Sequence, residues 1–207
     1  MAFVEQLLLT GLRYHQSGRL ADAEALYRQV LQSDPNQPDA LRLLGTIAHQ
    51  VGRHGEAVEL LQRSLRSPSP AARQSLNNLG EALRAMGQID ASVAAFRSAI
   101  QTDPGYAKAH SNLLLTLHSD PAMDGPTLRA EHEAWAKRHA AAAPAPAVHA
   151  NDRDPDRRLK VGYVSPDFRT HSVGYFIEPL LEAHHRDAVE VYCYSNDPRH
   201  DLSLIHI

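Results

Sequence analysis

One spacing constrains this chain more than any other feature. Gly11, Gly45 and Gly80 recur at intervals of 34 and 35 residues, and Gly18, Gly52 and Gly87 repeat the same two intervals. Pro35 and Pro104 lie 69 residues apart, two such periods. Three unrelated markers on one period mean a repeated structural unit, and a unit this short must bury its apolar face against its neighbours. Each period reads as two helices. The first carries Leu7, Gly11 and Tyr14, then Leu41, Leu44 and Gly45, then Leu76, Leu79, Gly80 and Leu83. The glycine beside each apolar position leaves room for a paired helix. Gly18, Gly52 and Gly87 stand where a helix C-cap needs the positive φ that glycine adopts cheaply. The second helices carry Ala23, Tyr27 and Val30, then Ala57, Leu61 and Leu65, then Ser92, Phe96 and Ala99. Small and large residues at that spacing make one packing face. Pro35, Pro68 or Pro70, and Pro104 stop them.

A period near 34 with this chemistry resembles the tetratricopeptide repeat family, with units at 4–37, 38–72 and 73–106. A fourth first helix begins near Tyr106, but Leu114 takes the glycine position and no matching second helix follows. A solenoid is capped in this way when its last face meets something else, here the helix expected after Gly125-Pro126, which carries Leu128 and Trp135. Stacked repeats form a groove suited to peptide segments. Asn78 and Asn112 share one register position facing that groove, where each can donate to and accept from a peptide backbone. Tolerated polar surface is the competing reading, because Leu9 and Leu43 hold the same position in the first two units.

The composition, 43% hydrophobic and 22% charged with a net charge of −3, gives no nucleic-acid or membrane footprint. No stretch approaches the roughly 18 apolar residues of a membrane span. The start lacks a basic and apolar leader, and the lone Cys193 has no internal disulfide partner, so a cytoplasmic protein is expected.

Residues 143–157, a Pro/Ala run followed by mixed charge, read as a linker that closes a repeat region with capping helices at 4–142. The periodicity then switches. Leu159–Val164 reads as a strand, Ser165–His171 as a loop, Val173 to Leu181 as a helix that Pro179 should kink or end early, and Val189–Tyr194 as a second strand. Strand, helix, strand opens a parallel α/β domain, whose ligands bind beyond the carboxyl ends of the strands. Asp167, Arg169 and His171 are therefore site candidates on topology. No dinucleotide fingerprint, P-loop or zinc-ligand spacing is present. His184-His185 reads as a solvated helix end and Cys193 as a core residue of the second strand. The fold class is mainly α: a helical solenoid followed by the first βαβ segment of a Rossmann-like domain.

The run Arg158-Leu159-Lys160-Val161-Gly162-Tyr163-Val164-Ser165-Pro166-Asp167-Phe168-Arg169-Thr170-His171, with repeats directly upstream, resembles the start of the catalytic region of O-linked N-acetylglucosamine transferases. The resemblance implies a two-lobed inverting glycosyltransferase moving N-acetylglucosamine from UDP-N-acetylglucosamine to protein serine or threonine, with no metal or cofactor and with protein or peptide substrates in the repeat groove. It implies a catalytic role for His171, in acid–base chemistry or positioning. It places Asp167 beside the substrate, where the competing role is to cap or brace the loop. This chain has Tyr175 where many relatives carry a second histidine. Segment 158–201 reads as the start of that domain. A nucleotide-binding lobe takes about 100–150 residues, so the polypeptide is expected to be inactive alone, and the alternative is a non-catalytic protein-binding scaffold. The end, Leu202–Ile207, reads as a translated library-adapter sequence, an artefact of read-through; the competing reading is a genuine third strand or helix.

Overall fold

The computed structural model describes residues 2–140, 152 and 154–195. They fall in two units, one from Met1 to Ala143 and one from Pro144 to Ile207. The linker expected at 143–157 and the tail at 202–207 lie largely or wholly outside the described residues.

The first unit is a run of helices: α1 (Ala2–Gln16), α2 (Leu20–Ser33), α3 (Pro38–Gln50), α4 (His54–Ser64), α5 (Ala72–Ala85), α6 (Ile89–Thr102), α7 (Ala107–Leu117) and α8 (Gly125–His139). The period is visible in the turns. Gly18, Gly52 and Gly87 have φ of +78°, +82° and +73°. In each turn the glycine N–H returns to the carbonyl three residues back, and the next N–H to the carbonyl five back, as in Arg19 to Tyr14, Arg53 to Ala48 and Gln88 to Leu83. This is the Schellman pattern, which satisfies two otherwise orphaned carbonyls.

The other glycine series sits at the helix crossings. A Cβ on Gly11 would lie 2.5 Å from Tyr27, on Gly45 2.9 Å from Leu61, and on Gly80 2.6 Å from Phe96. All three partners are fully buried. The Ser92 hydroxyl donates to the Gly80 carbonyl at 2.8 Å, closing the third crossing. Burial pushes the Tyr27 phenol up to about 12. Leu41, Leu44 and Ile47 of α3 carry the core on toward Leu79 and Leu83 of α5.

The helix expected after Gly125-Pro126 is α8, which packs on α7. Asp124 accepts from Thr127 N–H at 2.6 Å at its N-cap, and Pro126 occupies the first turn. No residue of α8 is buried. Leu128 and Met123 pack on the apolar end made by Phe96, Leu113 and Leu117. Polar contacts hold the rest: Trp135 Nε1–H to Ser111 Oγ at 3.1 Å, Arg97 to Glu131 at 2.9 Å, and two histidine pairs, His110–His139 and His118–His132, both at 3.1 Å.

In the second unit β1 (Leu159–Val164) and β2 (Val189–Tyr194) run parallel, from Leu159 opposite Val189 to Val164 opposite Tyr194, joined through α9 (Ser172–Glu182). Two expectations are corrected. The helix continues through Pro179, because the missing N–H falls in its last turn, where one lost bond is tolerated and Ala183 N–H still reaches the Pro179 carbonyl. Cys193 is exposed, because the carboxyl half of β2 has no covering layer among the described residues.

Candidate functional site

Two places carry the candidate residues, one in each unit. In the first, α1, α3, α5 and α7 line a groove of about 460 Å³ that includes Leu12, Leu43, Thr46, Gln50, Asn78 and Lys108. Asn78 and Asn112 each stand on a first helix, two residues before the position that Gly80 and Leu114 occupy. Their amides are engaged. Asn78 Nδ2–H donates to Thr46 Oγ1 at 2.8 Å on the helix before it, and Asn112 Nδ2–H donates to Asn77 Oδ1 at 2.9 Å and Glu81 Oε1 at 2.8 Å. Asn77 is fully buried and donates to Asn78 Oδ1 at 3.3 Å. Lys108 Nζ closes the line on Glu81 at 3.2 Å. The result is a polar ladder crossing three successive first helices. An amide offers two N–H donors and two acceptor lone pairs, so both asparagines keep capacity for a ligand.

The amino-terminal end of the same groove differs. Leu9 and Leu12 are 49% and 36% exposed, so apolar surface stands where the later units carry amides. Thr46, Asn77 and Glu81 were missed from the sequence. Thr46 and Glu81 follow the crossing glycines directly, three residues on from the register of Asn78 and so on its face, and that spacing would have found them.

In the second unit the loop after β1 is held at both ends. Ser165 N–H bonds the Tyr194 carbonyl at 3.0 Å, extending the parallel pairing, and Ser165 Oγ accepts from Asp167 N–H at 3.1 Å. His171 is the N-cap of α9: its backbone is extended, and its Nδ1 accepts from Val173 N–H at 3.2 Å. Asp167 Oδ1 lies 3.6 Å from Arg169 Nη2 and 3.8 Å from His171 Nδ1. The structure thus gathers Asp167, Arg169 and His171 at the carboxyl end of β1. Gly174 makes the cluster possible, since a Cβ there would lie 2.5 Å from the Arg169 carbonyl. A glycine in the first turn of a helix that follows a polar loop was the available signal for it. His184 is more than a solvated helix end: its Nε2 pairs with the Tyr163 hydroxyl at 2.8 Å and ties the end of α9 to β1. Among the described residues, no three His, Cys, Asp or Glu side chains are arranged to hold a metal ion, and no helix is long and apolar enough to cross a membrane.

Comparison with known proteins bears on both places. A tetratricopeptide repeat model matches residues 8–73, 54–107 and 77–125, and the glycosyl transferase family 41 model matches 109–204. The chain is 37% identical over 114 residues to the "Probable UDP-N-acetylglucosamine--peptide N-acetylglucosaminyltransferase SPINDLY" of Oryza sativa subsp. japonica, a match covering 55% of this chain and 12% of that protein. The tomato protein of the same name, from Solanum lycopersicum, is 35% identical over 97 residues, 47% of this chain and 10% of that one. A solved mutant O-GlcNAc transferase of Thermobaculum terrenum superposes with a TM-score of 0.74 at 38% identity, covering 99% of this chain and 39% of that one. Solved MamA, at 24% identity and a TM-score of 0.54 over 65% of this chain, shares the repeat fold. The chain thus spans about an eighth of the rice relative and two-fifths of the solved transferase. With the repeat model matching more than half its length, the chain belongs to the tetratricopeptide repeat family, and its residues 109–204 match the glycosyl transferase family 41 model.

Proposed function

We propose that this chain is the amino-terminal portion of a protein O-linked N-acetylglucosamine transferase, in which the repeats hold the acceptor protein and the loop from Ser165 to His171 contributes one wall of the transfer site. The observation that carries the reading is the likeness to the Thermobaculum transferase, 38% identical over nearly the whole chain. UDP-N-acetylglucosamine is the donor by relationship, and serine or threonine hydroxyls of proteins are the acceptors. The acceptor lies extended in the groove, with its backbone on Asn78 and Asn112. Each asparagine hydrogen bond is worth about 0.5–1.5 kcal/mol, so Asn78→Ala or Asn112→Ala should weaken peptide binding by roughly 2- to 12-fold. Fluorescence anisotropy with labelled serine-rich peptides measures this, and unchanged affinity in the double variant would reject the groove assignment. Turnover needs a second nucleotide-binding lobe, so radiolabel transfer by the purified chain should be absent. A non-catalytic peptide-binding scaffold is the second reading, favoured by the repeat array that makes up most of the chain. Transfer by the full protein that carries this segment decides between them.

A further inference from the structure

Residues placed like His171 invite the role of general base, and the geometry here points elsewhere. We infer that His171 spends its Nδ1 lone pair on the helix cap and carries its proton on Nε2, and that it acts on the substrate as a hydrogen-bond donor rather than as a proton acceptor. The inference rests on the transferase reading for what is donated to, but the tautomer itself stands on geometry alone.

A neutral imidazole has one nitrogen with a proton and one with a lone pair, and the partner of one nitrogen fixes the identity of the other. Nδ1 of His171 accepts the Val173 N–H at 3.2 Å, so its lone pair is committed to the first turn of α9. The proton is therefore on Nε2. Asp167, the other group facing Nδ1, lies 3.8 Å away, too far to hold a proton there by hydrogen bonding, and its carboxylate also faces the Arg169 guanidinium at 3.6 Å. Moving the proton to Nδ1 would break the helix cap, leave the Val173 N–H without its acceptor and set two donors against each other. The imidazole side chain is 37% exposed, so part of the ring is within reach of a ligand.

What such a group can do is specific. A base must present a lone pair to the acceptor hydroxyl, and the cap has used the lone pair. An Nε2–H instead suits an oxygen that gathers negative charge, either a phosphate oxygen of the leaving diphosphate or the acceptor oxygen as it loses its proton to another group. Charge stabilisation of this kind is worth about a hundredfold to a thousandfold in rate.

Two measurements test this. Nitrogen-15 spectra of the labelled chain, taken at about pH 7.5, above the ordinary imidazole range, correlate ring protons with ring nitrogens and read the tautomer directly. The His171 signals are picked out from the 13 histidines by their loss in His171→Asn. A single Nε2–H tautomer is expected; an Nδ1–H form, a mixture or a doubly protonated ring overturns the inference and leaves the transferase reading untouched. The second measurement is turnover in the full transferase carrying this segment. Asparagine places an acceptor oxygen where Nδ1 stands and is a good N-cap, while glutamine places an amide N–H where Nε2 stands. His171→Asn should keep the fold and lose about a hundredfold or more in kcat, and His171→Gln should retain more transfer than the asparagine variant. Equal loss in both identifies a base, and full activity in the asparagine variant identifies a cap alone; either result overturns the donor role. If the unmodified full transferase transfers nothing, the proposed function fails and the tautomer result stands.

Discussion

Gly80→Ala tests whether the helix crossings set the stability of the array. The added Cβ would sit 2.6, 2.7 and 2.8 Å from three ring carbons of Phe96, whereas carbon atoms pack at about 3.5–4.0 Å. The ring is fully buried, so it must retreat into occupied space or push α6 away from α5. Overpacking costs about 1–3 kcal/mol, and three contacts this short onto a fully buried ring belong to the upper part of that range, about 2–3 kcal/mol; replacing glycine inside a helix returns about 1 kcal/mol, leaving a net loss of about 1–2 kcal/mol. Urea unfolding of the whole chain followed by circular dichroism measures it. Phe96→Leu alone should also destabilise, by leaving a cavity. The double variant should be more stable than the sum of the two losses by more than about 0.5 kcal/mol, because the new methyl then fills part of that cavity. A Gly80→Ala protein as stable as the parent, or strictly additive losses, would refute the argument that the glycine is there for the ring.

Three further outcomes follow from the structure. Gly52→Ala meets nothing within 4 Å but sits at a φ of +82°, so it should cost about 1–2 kcal/mol from backbone conformation alone, with no coupling to Leu61 or Ala57 in a double-mutant cycle. Acid should weaken the repeats in two stages. Burial first, then His139 and His54, hold His110 and His49 below the ordinary 6.5, so the unfolded chain binds those protons more tightly; stability is full above about pH 6.5 and declines below it. Glu24 is held below its ordinary 4.5, mainly by Arg53 and also by Arg28, and its contribution disappears as pH falls through the carboxylate range. Melting temperatures across pH should show both steps, and loss of the upper step in a His49→Leu, His110→Leu protein would assign it. Gly174→Ala should dislodge the loop, because the 2.5 Å contact is to a backbone carbonyl that cannot rotate away; amide exchange should rise in α9 and stay unchanged in α1–α7.

The repeat was legible because its markers are local and periodic: Gly18, Gly52 and Gly87 answer a backbone demand, and Tyr27, Leu61 and Phe96 answer a packing demand, both set within one unit. The parallel βαβ was legible from the change of period at Leu159. Less visible were features that depend on two distant segments meeting. Cys193 reads as core by its place in an apolar strand, yet coverage of a strand is decided by what lies over it. His184 finds Tyr163 from 21 residues away, and nothing in the local sequence of either announces the pair. Pro179 misleads for a positional reason: it removes one bond, to the Tyr175 carbonyl, and the helix has only one turn left to make after it. The shared register of Asn78 and Asn112 was readable, and spacing of three reaches Thr46 and Glu81 as well, but the bonds that join them to one another and to Asn77 emerge only when neighbouring helices are set side by side.

The three crossings have a mechanical consequence. Each glycine keys one helix pair to a single register: sliding the second helix by a turn would carry Tyr27, Leu61 or Phe96 off its glycine and onto a side chain with no room for it. The two helices of a unit also pack more extensively on each other than on the next unit. An array that bends around a bulky acceptor therefore yields between units and not inside them.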